Sequence, residues 1–268
     1  MSTVLSKTLT SITTALNTNP QTTRLALSAL TAGILAITVP KAYRNYQIFV
    51  SYGPGGIPNN AVGWLVASLL LNPFGREMLS TDVYDRKIIS GETASLLPDI
   101  QPRKGGRPIV GPHAVPQRQI SSIPEAEVRE KLMNEYIAFA ARNQHLIKVA
   151  PSRLERHTDA FYLADSVPGI RLARSLNGEI AHLHGHGDFS VHVSLAPADC
   201  RKVIESNWGQ RHALSGTTMI RNLSMGRVPS LPSEYVLIYA PRNEEEIEVV
   251  MEIIAASVKY MTGLKDVR

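Results

Sequence analysis

The sequence predicts an α+β fold, a mainly antiparallel sheet packed by helices, with an N-terminal single-pass membrane helix. Three observations predict it. Short segments of alternating polarity, bounded by Gly, Pro and Asp, gather in the second half of the chain. A long amphipathic helix closes the sequence, and strands and helices follow one another without a regular βα alternation. An uncharged apolar run lies near the amino terminus.

The elements follow in order. Leu25 to Pro40, LALSALTAGILAITVP, carries no charge. At about 1.5 Å per residue it is short for a hydrocarbon core of roughly 30 Å, and Tyr43, Tyr46, Ile48 and Phe49 extend it or sit at the interface. The polar lead is long and no A-x-A-like site follows, which favours an anchor over a cleaved signal peptide; a mitochondrial presequence is the minority reading, since the lead is Ser/Thr-rich and acid-free but has only Lys7 and Arg24 where such peptides are Arg-rich. A second apolar run, Ala61 to Leu71, is too short to span; it reads as a buried or interface-lying helix after the Gly/Pro hinge Ser51 to Asn60. Residues 76 to 100 give mixed signals, and 101 to 118 read as an extended loop. A helix is expected from Ser122, where Ser122 and Glu125 have capping-box spacing and Pro124 suits a first turn. Strands are expected in HLIKVAPS, in 158–164, in GEIAHLH and in FSVHVSLA, then a short helix from Pro197, a strand from Glu234 to Ala240 and the terminal helix. In that last helix Asn243 and Glu246 form an N-x-x-E cap, Ile247, Val250, Met251, Ile254, Val258 and Met261 form the core stripe, and Gly263 ends it. The chain divides into an anchor at 1–50, an apolar helix with a connecting segment at 51–120, and an α+β domain at 121–268.

Composition limits the function. The 268 residues are 44% hydrophobic and 19% charged, ordinary globular values that exclude wholesale disorder. Cys200 is the only cysteine, so internal disulfides, cysteine-based zinc fingers and iron–sulfur clusters are excluded. The net charge is +5, but Lys7, Arg24, Lys41 and Arg44 precede the first acid, Glu77, and leave the rest of the chain nearly neutral. Downstream, only Arg103, Lys104 and Arg107 cluster. No nucleic-acid partner is therefore expected; the charge points to membrane lipid. The basic flanks of the apolar run are balanced and do not orient it.

There is no G-x-S-x-G elbow, Walker loop, strand-linked G-x-G-x-x-G or H-E-x-x-H. The positive feature is a His-rich hairpin. Alternation places Ile180, His182 and His184 opposite Ala181 and Leu183; it places Ser190, His192 and Ser194 opposite Phe189, Val191, Val193 and Leu195. If the apolar faces coincide, His182, His184 and His192 share one face, with Asp188 in the turn and His186 left to solvent. Imidazole titrates near neutrality and serves as base and then acid. A metal is the lesser reading, because no acidic ligand stands at a recognised spacing. Two further polar stretches are RHTD, Arg156 to Asp159, and WGQRH, Trp208 to His212.

In this order the stretches resemble the fungal luciferase family. The matching blocks are YDR (Tyr84 to Arg86), RHTD, EIAHLH with Asp188 and His192, WGQRH with Gly216, and YAPRNEEE (Tyr239 to Glu246); the family ending EASxxYMT is here AASVKYMT. The stretch SYGPGGIPNNAVGWLVASLL…NPFGREM is similar to luciferase-like proteins of non-luminous filamentous fungi, and His186, Gly187 and Phe189 depart from the luminous pattern.

The resemblance implies oxidation of a 3-hydroxy-α-pyrone of the 3-hydroxyhispidin type by O2, with loss of CO2 and no metal, flavin or ATP. A buried base would remove the enol proton, O2 would react with the enolate, and Arg or His donors would stabilise the anionic oxygens in a dry pocket. On that account His182 or His184 is the base, His192 and Asp188 orient it, and Arg211 and His212 are anion-stabilising donors. Arg156, His157, Asp159, Trp208 and Tyr239 contact the substrate. The partners are then a small-molecule substrate and membrane lipid, with the endoplasmic reticulum or another endomembrane as the location and the catalytic domain in the cytosol. Two alternatives stay open: a tailoring enzyme of secondary metabolism acting on another small molecule without light emission, and a non-catalytic membrane-bound binding protein.

Overall fold

The computed structural model describes residues 20–218, 221–222, 225–226 and 230–268. The expected amino-terminal tail with Lys7 lies outside the described residues. The chain divides into two compact units between Ile48 and Phe49. Helix α1 runs from Pro20 to Ser51 over 32 residues, most of them in the first unit. It continues through Pro40, so at about 1.5 Å per residue it exceeds the thickness of a hydrocarbon core. None of its apolar window is buried, and it is long and apolar enough to cross a membrane.

The second unit contains the sheet. Its strands are β1 (Ile147–Pro151), β2 (Asp159–Leu163), β3 (Glu179–Leu183), β4 (Val191–Ser194), β5 (Gly209–Arg211) and β6 (Tyr235–Ile238). They pair antiparallel throughout in the order β1-β2-β3-β4-β6-β5. The helices are α2 (Ala61–Leu65), α3 (Asp82–Ile89), α4 (Ala126–Arg142), α5 (Arg171–Ser175), α6 (Pro197–Glu205) and α7 (Glu244–Thr262). The predicted α+β class is the observed one.

One face of the sheet carries the core. Ala181 faces Val193 and Leu183 faces Val191 across β3 and β4, while Val191 and Val193 stand beside Ile238 and Val236 of β6; all are buried. The stripe of α7 packs on this face, and Ser257 Oγ donates to the Ser194 carbonyl at 2.8 Å. On α4, Tyr136 stacks on Phe161 of β2 at 4.0 Å. Asn243 caps α7 by accepting the Glu246 N–H at 2.9 Å, and Gly263 ends it in the left-handed conformation. The Glu246 carboxylate turns instead to Arg103 and Arg242.

Two expectations are corrected. The fourth helix starts at Ala126, and Ser122 with Glu125 makes no capping box. Gln119 Nε2 donates to the Ser121 and Ser122 carbonyls and Arg129 Nε to that of Pro124, which holds the segment before Ala126 as a turn. In β3, Tyr162 of β2 faces Glu179 while Phe161 faces Ala181, so Ile180 is the unopposed residue of a bulge. Ile180 joins the apolar cluster instead of the polar face, and Glu179 takes its place beside His182.

Residues 49–120 build into the same compact unit as the sheet. Asp199 of α6 accepts from Ser95 Oγ and the Leu96 and Leu97 N–H groups. Two of the three clustered loop cations are consumed internally: Arg103 binds Glu246 and the Ala240 carbonyl, and Arg107 binds the carbonyls of Ile204 and Gly209.

Replacing Asn243 with Ala should lower unfolding stability by about 1 kcal/mol, the usual worth of an N-cap side chain. Chemical denaturation checks it; a loss under about 0.3 kcal/mol would mean the Glu246 ion pairs alone fix the start of α7.

Candidate functional site

The polar face of the sheet forms the site. His182 and His192 are direct partners across β3 and β4, so their rings lie side by side with centroids 5.3 Å apart. His184 is 5.2 Å from His182 and 5.0 Å from His192, and His212, just after β5, is 5.3 Å from His192. Tyr235 of β6 stacks on His192 at 4.8 Å. All four imidazoles are buried. The predicted sharing of one face by His182, His184 and His192 is what the strands produce, and His212 completes the group.

Their hydrogen bonds differ, and the differences define what each ring can do. His182 Nδ1 lies 2.9 Å from Glu179 Oε1. Burial by itself would raise the Glu179 pKa, but bonds from His182, Ser152 and Tyr162 hold the carboxyl below its ordinary value. An ionised acceptor places the His182 proton on Nδ1. Nε2 then presents a lone pair, and it is buried without a hydrogen-bond partner. His184 is fully occupied. Its Nδ1 contacts Asp188 Oδ1 at 3.1 Å and Ser190 Oγ at 2.8 Å, and its Nε2 accepts from Arg118 at 3.0 Å. His212 Nδ1 accepts the Leu214 N–H at 3.0 Å, which leaves its proton on Nε2 as a donor. His192 Nδ1 donates to the Val236 carbonyl at 3.3 Å.

Burial keeps His184, His192 and His212 neutral. It lowers His184 and His192 well below 6.5, helped by the Arg118 charge and by the other imidazoles, and lowers His212 to about 3. Asp188 is shifted the other way: burial raises its carboxyl despite Arg118 and the N–H of Gln119. Arg118 closes the network by pairing with Glu155.

His182, His192, His212 and Tyr235 line a cavity of about 530 Å³ together with Arg118, Glu155, Arg156 and an apolar wall that includes Ile57, Val66, Leu71, Val115 and Leu231. A larger apolar groove of about 800 Å³ lies between α4 and β1, with Asp159 and His186 on its edge, but it contains none of the four clustered imidazoles. The smaller cavity is the better site because its polar groups converge.

The other predicted residues are placed as follows. Asp188 orients His184 and does not line the cavity. Arg156 lies at the rim with a left-handed backbone, and His157 is exposed. Arg211 misses the cavity because it faces Val236, on the apolar side of the sheet, where its guanidinium lies 5.9 Å from the Tyr84 ring. Trp208 donates Nε1–H to the Gln101 carbonyl, Tyr239 donates to Gln210, and Arg103 sits against both rings, so these two aromatics pack the 101–107 loop. Sequence reasoning missed Glu179, Arg118, Glu155 and Tyr235. Glu179 carried a signal, since a strand bulge brings i and i+3 together, but nothing in the sequence marked the bulge.

Three imidazoles whose ring nitrogens lie within 4.8 Å of one another have the spacing of a metal centre. In the hydrogen-bonded arrangement, however, His184 has no free lone pair, and the Arg118 cation contacts its outer nitrogen.

A cavity faced by a carboxylate-backed imidazole, a neutral imidazole donor and a paired guanidinium has the groups of a small-molecule site suited to proton transfer. The Luciferase domain model matches residues 177–257, which hold β3, the hairpin and all four imidazoles. The chain is 38% identical to a luciferase of Armillaria ostoyae over 85% of this chain and 84% of that one, and 33% identical to a luciferase of Neonothopanus nambi over 88% of each. It belongs to the fungal luciferase family. No solved structure matches it.

The neutral rings fix the sign of an acid response. Unfolded histidines take up protons as pH falls through about 6.5, whereas folded His184, His192 and His212 do not. The unfolded state then binds more protons, so stability is lost as pH falls below 6.5 and is level above it. Each ring contributes a slope of about 1.4 kcal/mol per pH unit, far more in sum than the single opposing Asp188. Thermal melts should show Tm constant from pH 7.5 to 8.5 and dropping steeply from 6.5 to 5; a level Tm across that lower range would contradict the buried neutral cluster.

Proposed function

We propose that this protein catalyses a luciferase-type, O2-dependent oxidation of an enolic 3-hydroxy-pyrone such as 3-hydroxyhispidin, with loss of CO2 and without a metal, flavin or nucleotide. The observation that carries the reading is the unpartnered Nε2 of His182, backed by Glu179, on a residue that lines the cavity. In this mechanism His182 Nε2 takes the enol proton and Glu179 stabilises the imidazolium, the pairing that makes an imidazole an effective base. The resulting enolate is electron-rich enough to react with O2, and both atoms of O2 enter products, so no external reductant is needed. Negative charge on oxygen then meets the His212 Nε2–H and the Arg118 guanidinium in surroundings largely stripped of water.

The separation of roles is chemical. A ring acting as base needs a free lone pair, which His182 has and His184 lacks because Arg118 occupies it. His184 therefore positions Arg118, and Asp188 positions His184. We place the protein on the endoplasmic reticulum or another endomembrane, anchored by α1 with the catalytic domain in the cytosol. The exposure of an apolar 32-residue helix supports the anchor, and protease protection of sealed microsomes tests the orientation.

Full-length protein supplied with 3-hydroxyhispidin in air should consume O2 and release CO2, with any light recorded in parallel. No turnover at any pH from 6 to 9 would exclude this substrate. His182→Gln should lower kcat by roughly 10² to 10⁴, and Glu179→Gln by a smaller factor, with the melting curve run alongside to confirm folding. If His184→Gln alone abolished turnover while His182→Gln retained it, the two rings would have to exchange roles.

A further inference from the structure

Between Arg44 and Arg76 the chain has no charged residue. The middle of this stretch, Ala61–Phe74, is helical: α2 passes into a π turn at Val66–Leu71 and a 3₁₀ turn at Asn72–Phe74. Its two sides differ in an unusual way. Inward, Gly63 and Ala67 are buried while Val66 and Leu71 line the histidine cavity. Outward, where a soluble protein carries polar groups, stand Val62 and Leu69, each 65% exposed, with Leu65, Leu70 and Phe74. This outer side carries five exposed apolar residues and no charged one.

The segment is fixed at both ends. Asn60 caps α2 by accepting the Val62 and Gly63 N–H groups. Gly63 is required there, because a Cβ would stand 1.8 Å from the Pro58 carbonyl oxygen. At the other end Asn72 donates to the Pro112 carbonyl and accepts the Ala114 N–H. The exposed apolar face is therefore held in place as a wall of the cavity.

We propose that this face docks into the interface of a lipid bilayer, so that the Val66–Leu71 wall separates the cavity from lipid rather than from water. The proposal rests on the anchored reading of α1. The segment is about 21 Å long, too short to span but long enough to lie in the headgroup and upper acyl region. Only residues 52–60 separate it from α1, so the chain tethers it within about 30 Å of the end of the anchor. A second protein is the poorer occupant, because a protein-binding face of this kind usually has a polar rim to fix register, and the segment carries no charged residue. Docking would expose the cavity's cover to dissolved apolar aromatics, which partition into that layer. The π turn, whose loosened hydrogen bonding recurs at functional sites, lies where the cover would yield.

The test uses the lone, fully buried Cys200, which leaves an engineered surface thiol as the only reactive one. Leu69→Cys, Leu27→Cys on α1 and Lys148→Cys on β1 are labelled with an environment-sensitive fluorophore in the full chain, reconstituted into phosphatidylcholine vesicles. Spin-labelled lipid should quench the Leu69 and Leu27 positions at least twofold more than Lys148, and Leu69 more by a shallow label than by a deep one. A Leu69 signal equal to that of Lys148 with Leu27 quenched would overturn the docking and leave the anchor standing. Equal signals at all three would overturn the anchor and the docking with it.

Discussion

Ile180 has no partner on β2, and that one extra residue lets Glu179 and His182, three apart in sequence, meet on the same side of the sheet. In a regular strand they would point to opposite faces, and the His182 ring would be buried with both nitrogens unmatched. With the bulge, the carboxylate accepts a hydrogen bond from Nδ1–H and leaves the lone pair on Nε2. The same displacement puts the Ile180 side chain in the apolar core and keeps that face continuous. One irregularity thus serves packing and polarity together, which is the usual reason bulges persist beside sites.

The second constraint is charge. Four imidazoles linked by ring-centroid separations of 5.0 to 5.3 Å would repel strongly if protonated, and burial disfavours the charged form. Neutral His184, His192 and His212 permit the cluster; Arg118 is the fixed cation against it, and Glu155 neutralises Arg118. A buried ion pair adds little net stability, but removing one partner costs about 3–5 kcal/mol because the other is stranded. The pair is therefore better understood as a device that holds a guanidinium at His184 without drawing water into the cavity. His184, Asp188, Ser190 and Arg118 form a continuous chain of hydrogen bonds, all in the same direction, with no ring nitrogen left over.

Much of this was legible in the sequence, for reasons that can be named. Period-two alternation placed His182, His184 and His192 together, because hydrophobic partners on the facing strands pin the register. The helical period of α7 and its Asn243 cap were equally readable. The same alternation separates Arg211 from His212, two neighbours in one motif, once β5 is known to extend through Arg211. The three-residue strand is too short to show a period, so sequence reasoning assigned both to the cavity. Trp208 and Tyr239 belong to recognisable blocks, yet they hold the 101–107 loop through Arg103. Arg118 and Glu155 lie in loop segments whose contacts are set by the tertiary fold, and no local pattern predicts such contacts.

The balance of charge in the cavity also bears on the form in which a substrate would enter. With His192 and His212 neutral and Arg118 paired with Glu155, the interior offers little positive charge to draw an anion out of water, and desolvating an enolate would be costly. A neutral enol pays no such cost. It would lose its proton only after water is excluded, to the one imidazole with an open lone pair and a carboxylate behind it. Charge would then appear where donors are already oriented, at His212 Nε2 and Arg118, so no dipole has to reorganise as it forms.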